Sequence, residues 1–273
     1  ACSQAPKQTL RLILTPGKTY ALSVRTSADA VLTGQDGNSI PLPSQSVHTF
    51  SFQAGDLDEH GDTFASVEVG DTEFPMVFIP LGVIFKGYSF GIKLSPVGRI
   101  SEFVNTDAMR AGILQSLSAY GTGATIYGST PPNIAITSIS DDALRAIIEP
   151  ITGIWPEAPV SPGDEWSGPE TYSPAAHTLS TARYRLESWD DSEVKIRVDT
   201  EIRPAGDRVR DPNLPAAGVY SGKGTGEIIV DPLLGTIRSY ELDQEISGTV
   251  NPDGKAELKV SITSRTQAEL TAR

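Results

Sequence analysis

Apolar and polar residues alternate singly over long stretches of the chain, the period of a β-strand with one buried and one wet face. The pattern is cleanest late in the chain. Tyr184 and Leu186 stand between Arg183, Arg185 and Glu187. Val194, Ile196 and Val198 alternate with Lys195, Arg197 and Asp199, and Ala256, Leu258, Val260 and Ile262 with Lys255, Glu257, Lys259 and Ser261. Earlier, Tyr20, Leu22 and Val24 give Thr19 to Thr26 the same period, and Val47 to Phe52, Thr63 to Val69, Ser89 to Leu94 and Arg99 to Val104 read as further strands. Leu10 to Leu14 is an apolar run that predicts a strand ahead of the Pro16-Gly17 turn, and the proline-bearing Asp36 to Ser46 reads as a connection. Between the strands lie turn sequences: Asp58-Glu59-His60-Gly61-Asp62, Ser95-Pro96-Val97-Gly98, Asp190-Asp191-Ser192 and Asn251-Pro252-Asp253-Gly254. Short connections of this kind join antiparallel neighbours.

The period changes to 3.6 at two places. Thr106 to Tyr120 carries Met109, Ile113, Leu114 and Leu117 at helical spacing behind a Thr106-Asp107 cap. A second helix begins at Ser140, whose hydroxyl caps a first turn holding Asp141 and Asp142, and its buried stripe is Leu144, Ile147, Ile148 and Ile151. Pro150 and Gly153 mark its end.

The fold class expected is mainly β: two related antiparallel β-meanders, forming a curved sheet, half-barrel or sandwich-like structure, with a small two-helix insert. The divisions are residues 1–9 as an anchor or linker, 10–105 as the first meander, 106–155 as the helical insert and 156–273 as the second meander, unless the halves form one continuous domain. Ile92 to Phe103 and Ile228 to Tyr240 share the order strand, proline-glycine turn, strand, aromatic, as a duplicated meander would. Between the halves runs Trp155 to Trp166, in which Pro156, Pro159 and Pro162 fix an extended crossing, Gly163-Asp164 forms a turn, and Trp166 returns to a core. This stretch reads as a hinge.

With 273 residues and 38% hydrophobic content the chain has the material for a core. Its formal net charge of −12 gives an average field that repels phosphate backbones, so nucleic acid is not an expected partner. The single cysteine, Cys2, precludes an intrachain disulfide and a multi-cysteine metal site, and no cofactor is expected. Ala1-Cys2-Ser3-Gln4 looks like the junction at which a bacterial lipoprotein is acylated on cysteine. The expectation is attachment to a membrane through a lipidated Cys2, at the periplasmic or extracellular face, since no apolar run reaches the roughly 18 residues of a membrane span.

Three stretches give the chain a resemblance to a family of uncharacterised bacterial secreted proteins and lipoproteins: Leu14-Thr15-Pro16-Gly17-Lys18-Thr19-Tyr20; the central Pro156-x-x-Pro159-Val160-x-x-Gly163-Asp164-x-Trp166; and Gly222-Lys223-Gly224-Thr225-Gly226 leading to Asp231 and Gly235. The resemblance implies location and a β fold, and it brings no activity with it. Residues 74–85, including Phe74 to Leu81, are more apolar than that pattern accounts for.

Each motif with catalytic potential has a structural reading beside it. Gly87-Tyr88-Ser89-Phe90-Gly91 matches the nucleophile elbow of serine hydrolases, but strand-like sequence follows it, and His48, His60 and His177 are the available bases. Asp56-Leu57-Asp58-Glu59-His60-Gly61 resembles the start of a calcium loop, yet His60 and Val67 stand where oxygen ligands are needed, which favours a hairpin turn. The Gly222 to Gly226 run lacks the following helix a phosphate cradle requires and reads as a glycine-bearing strand entry or bulge where another backbone or a bulky side chain comes close. Asp164 and Glu165 point to opposite faces if extended, so Asp164 is expected to cap its turn.

A surplus of apolar sheet remains. About ten strands, each with three or four inward residues, offer more hydrocarbon than two short helices cover. Either the half-sheets close on each other, the usual outcome, or a cavity is left for an apolar ligand. The reading is a non-enzymatic lipoprotein acting as a binding or accessory subunit, with a larger membrane assembly as a partner. A periplasmic carrier of lipid or another apolar molecule is the alternative, and a serine hydrolase ranks last.

Overall fold

A computed structural model describes residues 7–73, 85–119, 140–174, 176–206, 218–251 and 257–273. Cys2, most of the apolar 74–85 segment, Tyr120 and most of the Asn251 to Gly254 turn lie outside these residues. In chain order the strands are β1 Thr19–Thr33, β2 Ser39–Leu57, β3 Thr63–Glu73, β4 Ser89–Leu94 and β5 Ile100–Val104; then helices α1 Thr106–Ala119 and α2 Asp141–Thr152; then β6 Glu165–Ser167, β7 Thr171–Ser173, β8 Thr178–Trp189, β9 Val194–Pro204, β10 Val219–Asp231, β11 Thr236–Val250 and β12 Leu258–Ala272. All pair antiparallel in one curved, open sheet of order β5-β4-β3-β2-β1-β12-β11-β10-β9-β8-β6, with β7 also on β8. The mainly β class and the two-helix insert are as the sequence pattern predicts.

The first and second meanders join where β1 pairs with β12, from Tyr20 opposite Ala272 to Thr33 opposite Lys259. Inward residues from both sides of that junction belong to one hydrophobic cluster, running from Leu94 and Ile100 to Leu186 and Val194. A sheet whose distant ends share a core must curl, and its inner face supplies the alternation seen in the sequence.

Two expectations fail locally. Leu10 to Leu14 forms no strand. Leu10 and Leu14 are buried against the core, so the run is apolar because of packing, and the isolated bridge from Gln8 to Val160 lies just ahead of it. Asp36 to Ser46 is connection only as far as Asn38; Pro41 and Pro43 lie inside β2, opposite Val31 and Asp29. There β2 pairs with β1, while β3 meets it from Val47 onward, and proline is tolerated in a strand with one free side.

Helix α2 spans the gap between the sheet's two ends. Its cap is the one the sequence specifies, with Ser140 Oγ accepting from the Ala143 N–H at 3.2 Å. It touches β7 at one end of the sheet and β5 at the other. Ile100, on edge strand β5, donates its N–H to Glu149 Oε1 at 2.9 Å and accepts at its carbonyl from the Arg145 guanidinium, which also lies 5.2 Å over the Phe103 ring. Two side chains of α2 thus stand in for a missing neighbouring strand and cover an edge that would otherwise invite foreign pairing. Arg110 of α1 reaches Asp141 at 2.9 Å, and Met109 and Ile113 of α1 are buried in the common core.

Candidate functional site

The register of the central strands explains where the concave face is filled and where it is hollow. Residues directly opposite each other point to the same side. Across β1, β12, β11, β10, β9 and β8, the deep row reads Val24, Ala268, Tyr240, Ile228, Ile196, Leu186. The next reads Thr26, Thr266, Leu242, Gly226, Val198, Tyr184, and the third Ala28, Ser264, Gln244, Gly224, Thr200, Ala182. The fourth turns apolar again with Ala30, Ile262, Ile246, Gly222 and Ile202 before Ser180. Bulk thins in the second row, where Thr26, Thr266 and Gly226 stand among Leu242, Val198 and Tyr184, and is lost in the third, where alanine, serine, glycine and threonine flank Gln244.

A cavity of about 720 Å³ occupies the hollow, within the roughly 300–1,000 Å³ typical of small-molecule pockets. Val24, Thr26, Ser46 and His48 form one wall; Ile202, Tyr240, Leu242, Gln244, Ile246 and Ile262 form the sheet side; Ala146, Ile147, Pro150 and Ile151 of α2 cover it. The expected helix stripe is therefore divided: Leu144, Ile148 and Ile151 are buried in the core, while Ile147 is half-buried and faces the cavity. Helix α2 also runs through Pro150 to Thr152, with Gly153 as its cap. Proline supplies no N–H to the carbonyl of Ala146, one turn back.

Glycine explains the tight bend. On β10, a Cβ at Gly226 would meet the Glu241 carbonyl at 2.0 Å, and one at Gly224 would meet Thr200 Oγ1 at 2.6 Å. The Gly222 to Gly226 run thus lies in the interior of a strand where neighbours crowd it.

Polar groups within the cavity are uncharged. Thr26 Oγ1 and Thr266 Oγ1 are 3.1 Å apart, and Gln244 Nε2 donates to Thr200 Oγ1 at 3.4 Å. Burial lowers the His48 pKa to about 4, and it pushes the phenols of Tyr184 and Tyr240 above the ordinary tyrosine range. Among the described residues lining the cavity there is no Asp, Glu, Lys or Arg. Charge sits on the opposite face, where Arg265 pairs with Glu241, Lys195 with Glu227 at 2.5 Å and Arg197 with Asp199 at 3.1 Å.

The central motif lies outside this cavity. Val160 bridges Gln8, and Asp164 Oδ2 accepts from the Ser161 N–H at 2.9 Å, the turn cap anticipated for it, with Gly163 at φ +96°. Trp166 Nε1 donates to the Ile154 carbonyl at 2.7 Å and its ring stacks on Tyr184, 5.8 Å between centroids. Pro156 and Pro159 lie in the connection between α2 and β6. Trp166 thus fixes one side of Tyr184, whose residue lines the cavity.

The remaining motifs are placed as follows. Ser89 opens β4 as an exposed residue opposite Glu68, and Gly87 takes the left-handed turn before it at φ +85°. His48 lies on β2, His60 in the β2–β3 turn, and His177 before β8, hydrogen-bonded through Nδ1 to the Tyr172 hydroxyl at 3.0 Å. In the acidic turn, Asp58 and Asp62 hold Lys93 Nζ at 2.7 and 3.5 Å, so an ammonium of β4 takes the place a cation would fill. The hydroxyl and glycine rows of the cavity were not identified from sequence; their signal is the repeated small residue at inward positions of β1, β10 and β12.

Residues 73–237 match a family described as a family of unknown function (DUF6263), which is more than half of the chain. The chain belongs to the DUF6263 family. No curated protein matches it in sequence. Among solved structures, this DUF6263 chain is similar to one described as lipid–protein interactions in lipovitellin, at 10% identity and a TM-score of 0.47, covering 95% of this chain and 25% of that one. The chain therefore spans about a quarter of the lipovitellin chain's length. It is also similar to Ail, the attachment invasion locus protein of Yersinia pestis (5% identity, TM-score 0.17, 93% and 98% covered), and to an outer membrane channel from Pseudomonas putida F1 (8%, 0.22, 98% and 100%). At these scores the likenesses carry no functional weight for the DUF6263 chain.

Proposed function

We propose that this protein is a non-enzymatic binding protein of the bacterial cell envelope, held at a membrane surface through Cys2, and that it takes an apolar ligand into the cavity between its concave sheet and α2. The observation that supports this reading is the hollow itself. Native interiors are normally filled, and a row in which five of six strands present only alanine, serine, threonine or glycine is a costly way to build a core. A ligand that fills the space supplies the missing contacts, at about 0.8 kcal/mol per buried methylene.

The test is titration with N-phenyl-1-naphthylamine, an uncharged dye that fluoresces in apolar surroundings. Saturable binding at one equivalent is expected. It should be lost in Ala182→Phe, which places a ring in the third row, while the denaturation midpoint stays within a few degrees of wild type. Absence of saturable binding, or equal binding by a folded Ala182→Phe, contradicts the reading. For the anchor, the mass of the N-terminal peptide from natively produced protein decides: a diacylglyceryl group on Cys2 supports it and an unmodified thiol contradicts it.

A further inference from the structure

The arrangement of polar groups in this cavity narrows the ligand class, an inference that rests on the cavity being a lipid site. We propose that the ligand is an uncharged lipid bearing a hydroxyl or ester oxygen, such as a monoacylglycerol or fatty alcohol, and that a fatty-acid carboxylate is selected against.

The first argument is charge. In a chain with 21% charged residues and a net charge of −12, the described lining offers no fixed charge, and the ion pairs of β9 to β12 are on the other face of the sheet. A carboxylate entering the cavity would leave water without meeting a cation among the described lining residues, and an ammonium group would meet no carboxylate among them; either loses hydration that this lining does not restore.

The second argument is where the polarity lies. Thr26, Thr266, Gln244 and Thr200 form a belt across the second and third rows, with Tyr240 in the row below and Ile246, Ile262 and Ile202 in the row above. A threonine hydroxyl both donates and accepts, and so does a ligand hydroxyl; an ester oxygen accepts from the same groups. The apolar row of Ile246, Ile262 and Ile202 lines the cavity beside the belt and accommodates the hydrocarbon chain of a ligand held at the belt by its terminal polar group.

Displacement of N-phenyl-1-naphthylamine at pH 7.5 by monoolein, oleyl alcohol, oleate and oleylamine tests this, all four sharing one hydrocarbon chain. Monoolein and oleyl alcohol should displace the dye, with oleate and oleylamine weaker by at least about tenfold. Thr266→Lys or Gln244→Lys, each placing an ammonium in the belt, should improve oleate relative to oleyl alcohol by a similar factor, both lipids being read against the dye affinity of the same variant. Oleate binding as tightly as oleyl alcohol to the wild type overturns the inference and leaves the cavity's role standing. Failure of both folded lysine variants to favour oleate overturns the belt as the polar subsite. If neither dye nor any lipid binds, the underlying reading falls and the inference with it.

Discussion

Acidification should destabilise this protein in a window set by His48. The half-buried side chain lies on the concave side of β2 opposite Val24, and burial lowers its pKa from 6.5 to about 4. The folded protein holds the ring neutral, while the unfolded chain takes up a proton near pH 6.5. Its contribution to stability is therefore complete above pH 6.5 and is lost progressively as pH falls towards 4. The difference of about 2.5 pH units corresponds to a loss on the order of 3 kcal/mol, with a slope near 1.4 kcal/mol per pH unit inside the window. Carboxylates held by ion pairs and turn N–H groups, such as Asp58, Asp190, Asp231 and Glu241, have pKa values shifted downward, so their contributions are lost below about pH 4, outside that window. Urea denaturation of wild type and His48→Leu at half-unit steps from pH 7.5 to 4.5 measures the difference. Wild type should lose on the order of 2 kcal/mol more than the variant across that range, whatever their offset at pH 7.5. Parallel curves for the two proteins would refute the account of His48 as a ring kept neutral by enclosure.

Other substitutions probe the frame around the cavity. Glu149→Ala should cost on the order of 2–3 kcal/mol in urea denaturation, because it strips the Ile100 N–H and the Arg145 guanidinium of a buried carboxylate partner. Trp166→Phe keeps an aromatic ring against Tyr184 but loses the bond to the Ile154 carbonyl, and should cost about 1 kcal/mol by the same measurement. Gly98→Ala places a Cβ 1.7 Å from the Thr152 carbonyl at a φ of +72°, and should lower stability by roughly 2 kcal/mol or more. By contrast, Gly37→Ala at φ +81° meets no atom within 4 Å and should cost about 1 kcal/mol, from backbone strain alone.

Much of the fold was legible because each local rule agreed with the next. Alternation at Tyr184 to Leu186 and Val194 to Val198 gave strands, Asp190 gave the turn between them, and Ser140 gave the helix cap. Failures came where one cause was taken for another. Leu10 and Leu14 are apolar because they fill the core from a loop, and Pro41 and Pro43 sit in a strand where, among the described residues, β2 is paired on the β1 side only. The cavity was legible only as a surplus of sheet face. Its position depends on register: Thr26 meets Thr266 across 240 residues of sequence, and neither alternation pattern alone shows that small residues of β1, β12, β10 and β8 fall in the same rows. The polar belt stayed hidden for the same reason, since threonine at an inward position is an ordinary strand residue until its neighbours are known.

A crystal structure of the protein soaked with a terminally brominated fatty alcohol tests the central claim most directly, because anomalous scattering from bromine locates the ligand independently of side-chain interpretation. The account predicts a bromine peak within the hollow bounded by Ile147, Ile202 and Ile246, with the hydroxyl within hydrogen-bonding distance of the threonine belt. Bromine bound elsewhere, or a concave face whose rows have collapsed together and left no space, would contradict it.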